Sequence, residues 1–102
     1  MRRVVVTGMG IVSSIGNDIA SVLDSLRAAR PGIVAAPEYK ELGFRCQVHG
    51  APQLDPFEVL DRRTTRFMGK GAAWNYIAMQ EDIAMAGLED KAIQNPRTGL
   101  IM

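Results

Sequence analysis

Cysteine is almost missing from this sequence: Cys46 stands alone among 102 residues. One thiol cannot close an internal disulfide, so covalent staples are excluded and a reducing compartment fits. Surplus charge of either sign is also missing. Twelve basic and eleven acidic side chains leave a formal net charge of +1, so nothing global recommends nucleic acid or an anionic membrane as partner. No window approaches the roughly 18 apolar residues of a membrane span. Arg2-Arg3 and the apolar run behind them imitate a signal peptide, but Thr7, Gly8 and Gly10 interrupt the run and no small-x-small cleavage pattern follows. The expected location is the cytoplasm. Internal repeats and low-complexity tracts are lacking as well.

What the chain does hold is apolar mass. Hydrophobic residues make up 47% of it, enough for a packed core and against disorder. A domain of this size buries about 65% of the surface of its unfolded chain. Val4 to Val6 is a β-branched run short enough to be a buried strand. Thr7-Gly8-Met9-Gly10 breaks it with two glycines, which turn where other residues strain. Asn17 then stands as N-cap for a helix, with Ile19, Val22, Leu23 and Leu26 at amphipathic spacing, Arg27 and Arg30 at its C-terminal pole, and Pro31-Gly32 as the stop. From Ile33 to Gly43 the pattern weakens to one helical turn around Glu38 to Leu42.

Phe44 to His49 alternates apolar and polar, which predicts a strand with Phe44, Cys46 and Val48 on the covered face. Asp55-Pro56-Phe57-Glu58 carries three helix-start cues at once: Asp as N-cap, Pro at the first helical position and Glu at the third. It opens a short helix to about Leu60. A longer helix is predicted from Arg62 or Thr64 to Ala86, ended by Gly87. It is apolar over most of its circumference, which predicts burial. Asn95-Pro96 makes a turn, and Thr98 to Met102 starts a strand inside which the sequence stops. The order strand, helix, strand, two helices, strand predicts an α/β layered architecture that is cut off.

Three groups of residues invite chemistry. Gly8-Met9-Gly10-Ile11-Val12-Ser13 nearly spells a dinucleotide fingerprint after a strand and before a helix. Ser13 stands where the third glycine belongs, however, and the acidic residue wanted about 20 positions on is absent. A plain glycine turn leaving a buried strand is the competing reading. Cys46 and His49 suggest a nucleophile and its base, but on a strand an odd separation points them to opposite faces. A buried cysteine beside an exposed histidine is the plainer account. Arg62, Arg63, Arg66 and Lys70 lie near the start of the long helix, where Arg63, Arg66 and Lys70 fall within about 60° of one another. Their charge adds to the positive pole of the helix dipole and attracts an anionic ligand or an acidic protein surface. Alternatively they form a solvated basic face, partly neutralised by Asp55 and Asp61.

The run Val4-Val5-Val6-Thr7-Gly8-Met9-Gly10-Ile11-Val12-Ser13-Ser14-Ile15-Gly16-Asn17 resembles the first strand and turn of the β-ketoacyl-(acyl carrier protein) synthases. Asp61-Arg62-Arg63-Thr64-Thr65-Arg66-Phe67-Met68 is similar to their basic helix start. Leu26-Arg27, Arg30, Gly32-Ile33, Gly43, Gly50, Ala86-Gly87-Leu88 and Asn95-Pro96-Arg97-Thr98-Gly99-Leu100-Ile101 match in register, so the likeness covers the whole chain. Its wording is nearest to type I.

The resemblance implies the N-terminal part, residues 1–102, of a thiolase-like fold: helical layers around a mixed sheet. It implies a cytoplasmic, homodimeric acyltransferase that elongates fatty acyl chains by decarboxylating Claisen condensation with malonyl-(acyl carrier protein). Such enzymes use a cysteine at a helix N-terminus, whose thiol the dipole acidifies, together with two histidines and backbone oxyanion donors. None of that machinery is in these residues, and Cys46 and His49 do not match it. No catalytic residue, cofactor-binding residue or metal ligand is therefore expected here; the substrates ride on the phosphopantetheine of acyl carrier protein. Arg62, Arg63 and Arg66 match the family's docking positions for that acidic carrier, and Lys70 joins them by helical geometry only. The alternatives are a non-catalytic binding module for an acidic helical protein and a nucleotide-binding oxidoreductase domain.

Overall fold

The first helix is set by its cap. In the computed structural model, which describes residues 1–101, α1 spans Ile19–Arg27 and starts one residue later than expected. Asp18, not Asn17, is the N-cap. Its carboxylate accepts the N–H of Ser21 at 2.7 Å, and the Ser21 hydroxyl oxygen accepts the N–H groups of Asn17 and Asp18 at 3.1 and 3.2 Å. This reciprocal arrangement satisfies donors that a helix start leaves orphaned. It outcompetes an Asn17 cap because Ser21 lies three residues beyond Asp18. Val22 and Ser25 turn inward, and the Ser25 hydroxyl donates to the Ile15 carbonyl at 2.6 Å.

Between residues 33 and 50 the chain forms a small antiparallel hairpin around one helical turn. β1 (Ile33–Ala35), which the sequence did not announce, is followed by α2 (Pro37–Glu41) and β2 (Val48–Gly50), with Val34 opposite His49. The strand expected from Phe44 is therefore shortened to its last residues, and the face expected to be covered is not. Phe44, Cys46 and Val48 are exposed, whereas His49 is half-buried. The reason is aromatic: the Tyr39 ring sits edge-to-face at 5.4 Å from both Phe44 and His49, and Nδ1 of His49 lies 3.8 Å from Oε1 of Glu38. Those contacts hold the imidazole inward.

The second half hangs on one long helix. α3 (Pro56–Val59) begins as the sequence requires, with the Asp55 carboxylate accepting the Phe57 N–H at 3.0 Å and Pro56 fully buried. The single helix expected from Arg62 or Thr64 onward is broken in two: α4 (Arg62–Thr65) is one turn, residues 66–69 leave the helix, and α5 spans Lys70–Ala86. Gly69, extended at φ −75° and ψ 163°, is the N-cap of α5. Its C-terminus follows expectation, since Gly87 takes the left-handed conformation at φ 64° and Leu88 N–H closes onto the Ile83 carbonyl at 3.2 Å. The indole N–H of Trp74 donates to the Leu54 carbonyl at 2.9 Å and ties α5 to the segment before α3.

α6 (Asp90–Ile93) is a further unannounced turn, followed by the predicted Asn95-Pro96 turn, in which Thr98 N–H reaches the Asn95 carbonyl at 2.9 Å.

Two expected strands do not form among the described residues. Val4 to Val6 is unpaired and exposed, at 95%, 73% and 84%. Residues 98–101 are likewise irregular, and the last residue of that expected strand, Met102, lies outside the described residues. A strand exists only through a partner ladder, and no described segment supplies one to either run. The predicted burial of the long helix fails for the same reason: Ala73 is its one fully buried residue, and Met85 is half exposed. The chain is correspondingly open. Its Cα radius of gyration is 17.0 Å, against about 13 Å for a folded domain of this length. Its accessible surface is 8713 Å², against about 5,700 Å² from size scaling. Helices and a small hairpin are both present, so the structure is mixed α and β.

Candidate partner-docking site

The glycine turn at the N-terminus is a packing device. A Cβ on Gly10 would overlap the Ala78 carbonyl oxygen, and one on Gly8 would overlap the carbonyl and carboxylate of Asp82. Both glycines thus let the N-terminal segment lie directly against α5. The donors that a phosphate would need are already taken by Glu81, whose carboxylate accepts Ile11 N–H at 3.1 Å and Ile19 N–H at 3.2 Å. A carboxylate at the mouth of a supposed phosphate loop repels the ligand. This geometry speaks against the dinucleotide reading. Cys46 is a free, exposed thiol whose Sγ lies 3.4 Å from the Val48 carbonyl, pointed away from any base. No group of three or more potential metal ligands occurs among the described residues.

The arginines fare differently. Thr65 and Arg66 lie three and four residues beyond Arg62, and because Arg66, the C-cap of α4, keeps helical dihedrals, the three share a face. Thr65 is buried, its hydroxyl donating to the Asp61 carbonyl one turn back at 3.2 Å. Arg62 and Arg66 thereby flank an open depression of about 590 Å³ whose other lining residues are Phe57 and Thr65. Arg62, Arg63, Arg66 and Lys70 are all exposed. The neutralisation by Asp55 and Asp61 that the alternative reading required is not found: among the described residues, no arginine of this cluster has a carboxylate within 4 Å. The Arg66 guanidinium instead lies 5.2 Å from the centre of the Phe67 ring.

The continuous helix by which Lys70 joins Arg63 and Arg66 is interrupted at residues 66–69. Lys70 opens α5 as its first residue, and neither it nor Arg63 lines the depression. Sequence reasoning also missed Phe57. The signal was available in the Asp-Pro cap, which fixes Phe57 on the first turn of α3, but nothing in the spacing brings α3 alongside α4.

A second hollow, of about 1310 Å³, opens between the N-terminal segment, α1 and α5. It is lined by apolar groups such as Met9, Val22, Leu26, Met79 and Ile83. No helix of the described residues is long and apolar enough to cross a membrane.

The sequence that builds this arrangement has a family. The chain belongs to the β-ketoacyl synthases: residues 1–102 match the β-ketoacyl synthase N-terminal domain. Among individual proteins it is 48% identical over 102 residues to 3-oxoacyl-[acyl-carrier-protein] synthase 1 of Haemophilus influenzae, covering 100% of this chain and 25% of that protein. It is 47% identical over 102 residues to the Escherichia coli K12 protein of the same name, covering 99% of this chain and 25% of that protein. With 3-oxoacyl-[acyl-carrier-protein] synthase 2 of Coxiella burnetii the identity is 28% over 100 residues, 97% of this chain and 24% of that protein. The chain spans about a quarter of the length of the curated relatives it matches.

Proposed function

We propose that residues 1–102 form the N-terminal quarter of a 3-oxoacyl-(acyl carrier protein) synthase of type 1. The full enzyme would be cytoplasmic and homodimeric, with a thiolase-like layered fold, and would elongate fatty acyl chains by decarboxylating condensation with malonyl-(acyl carrier protein). The observation that carries this reading is the unbroken likeness to type 1 enzymes from the first residue to the last. The open hollow beside α5 supports it, because a helix apolar on most sides needs more cover than these residues supply.

Within that enzyme these residues do two things. Gly8, Gly10 and Glu81 fix the N-terminal segment against α5, which frames the hollow where further structure packs. Arg62, Arg63 and Arg66 present uncompensated positive charge to the acidic carrier that delivers the acyl and malonyl groups on its phosphopantetheine. The reacting groups lie outside this segment. The complete polypeptide carrying this segment is expected to form a 3-oxoacyl product from acyl- and malonyl-(acyl carrier protein), and residues 1–102 alone are expected to form none. No product from the complete polypeptide would refute the assignment.

A further inference from the structure

Arg62 and Arg66 line a depression whose other two lining residues carry no charge. They are Phe57, 42% exposed, and the buried Thr65, whose hydroxyl already donates to the Asp61 carbonyl. Apart from the two arginines, the lining therefore offers no free side-chain donor. A purely ionic partner would leave the Phe57 ring wet and unused. At about 590 Å³ the depression has room for an aliphatic side chain together with its neighbours on one helical turn.

We propose that Phe57 forms an apolar socket for an aliphatic side chain of the docking partner, an acidic helix that carries this side chain on the same face as its carboxylates. This rests on the reading of Arg62, Arg63 and Arg66 as the docking site for the carrier. The division of labour is physical. Exposed arginines act at long range and set the association rate, whereas a buried aromatic contact acts only after encounter and sets the dissociation rate. Arginine and phenylalanine contribute differently, and salt separates them, since screening weakens the first and leaves the second. α3 is held by the Asp55 cap, the buried Pro56 and the Trp74 bond to Leu54, so the ring is presented on a fixed element.

The test uses the complete synthase carrying this segment and its holo acyl carrier protein, with rates followed by surface plasmon resonance at low and high salt. Phe57→Ser is expected to raise the dissociation rate about five- to tenfold at both salt concentrations with little change in association, and Phe57→Leu to restore most of the loss. Turnover of carrier-free thioesters is expected to stay within about twofold of the parent.

Unchanged binding by Phe57→Ser, with Arg66→Glu still impaired, would overturn the socket and leave the docking reading standing. Unchanged binding by both variants would overturn the docking reading itself. Equal loss with carrier-bound and carrier-free substrates would make Phe57 a purely structural residue. Competition by free phosphopantetheine, abolished in Arg62→Gln but not in Phe57→Ser, would place a phosphate there instead.

Discussion

Glu81 and Ile19 are 62 residues apart in sequence, and the carboxylate of the first accepts the backbone N–H of the second at 3.2 Å. The other carboxylate oxygen takes Ile11 N–H at 3.1 Å. One side chain on α5 therefore secures both the end of the glycine turn and the start of α1. A negative group at a helix N-terminus also opposes the dipole there.

Removing that acceptor leaves two backbone donors without a protein partner. Glu81→Ala is expected to lower stability by about 1–2 kcal/mol, the low end for a charged hydrogen bond because the site is only half-buried. Hydrogen exchange at Ile11 and Ile19 should accelerate before exchange in the middle of α5 does. Uniform acceleration along the chain would show that Glu81 is not a local clamp.

Glycines of this chain should respond to alanine in opposite directions. At Gly10 the added methyl overlaps the Ala78 carbonyl oxygen, so Gly10→Ala is expected to cost about 2 kcal/mol or more through displacement of the N-terminal segment. At Gly71, inside α5 with nothing within 4 Å of an added methyl, the same change should stabilise by about 0.5–1 kcal/mol from helix propensity. Denaturant midpoints of the two variants in the complete enzyme give the comparison.

Acid should act on α1 through its cap. The backbone N–H of Ser21 foremost, then its hydroxyl, holds the Asp18 carboxyl below its usual value of 3.8. A carboxylate acidified by folding adds stability above its unfolded value, and that contribution is lost as pH falls through the lower, folded value. Parent and Asp18→Ala proteins should therefore differ in stability near neutrality and converge as the pH falls below 3.8. A gap that widens on acidification would contradict the cap assignment.

Charge reversal at Arg63 and Arg66 together is expected to weaken carrier binding by about 1–3 kcal/mol, chiefly through slower association. Added salt should shrink the difference, because exposed charges are screened within about 10 Å at 0.1 M. Small thioesters that bypass the carrier should react as before. Equal damage to both substrate classes would point to a fold defect.

Local rules carried much of this structure. The Asp-Pro cap of α3, the Gly87 stop of α5 and the amphipathic spacing of α1 are written in neighbouring residues, and each element stands where those residues require. What failed was non-local. Val4 to Val6 and residues 98–101 have strand chemistry but no ladder partner among the described residues. The inward turn of His49 depends on the Tyr39 ring, ten positions away. The break after Thr65 interrupted an apolar pattern that runs on through it, with Gly69, the N-cap of α5, as its local mark. The arginines were visible as a cluster in sequence, whereas Phe57 joins two of them only because α3 and α4 line one depression.

Trp74 is the sole tryptophan of the chain, and its indole bonds to the backbone just before α3. That position makes the residue an intrinsic fluorophore for one junction. Emission at long wavelength would report solvent entering between α3 and α5, beneath the arginine-bearing turn. Release of the N-terminal segment from Glu81 would leave the same signal unmoved. Fluorescence and circular dichroism recorded on one sample would thus resolve whether the two ends of α5 let go together or in sequence.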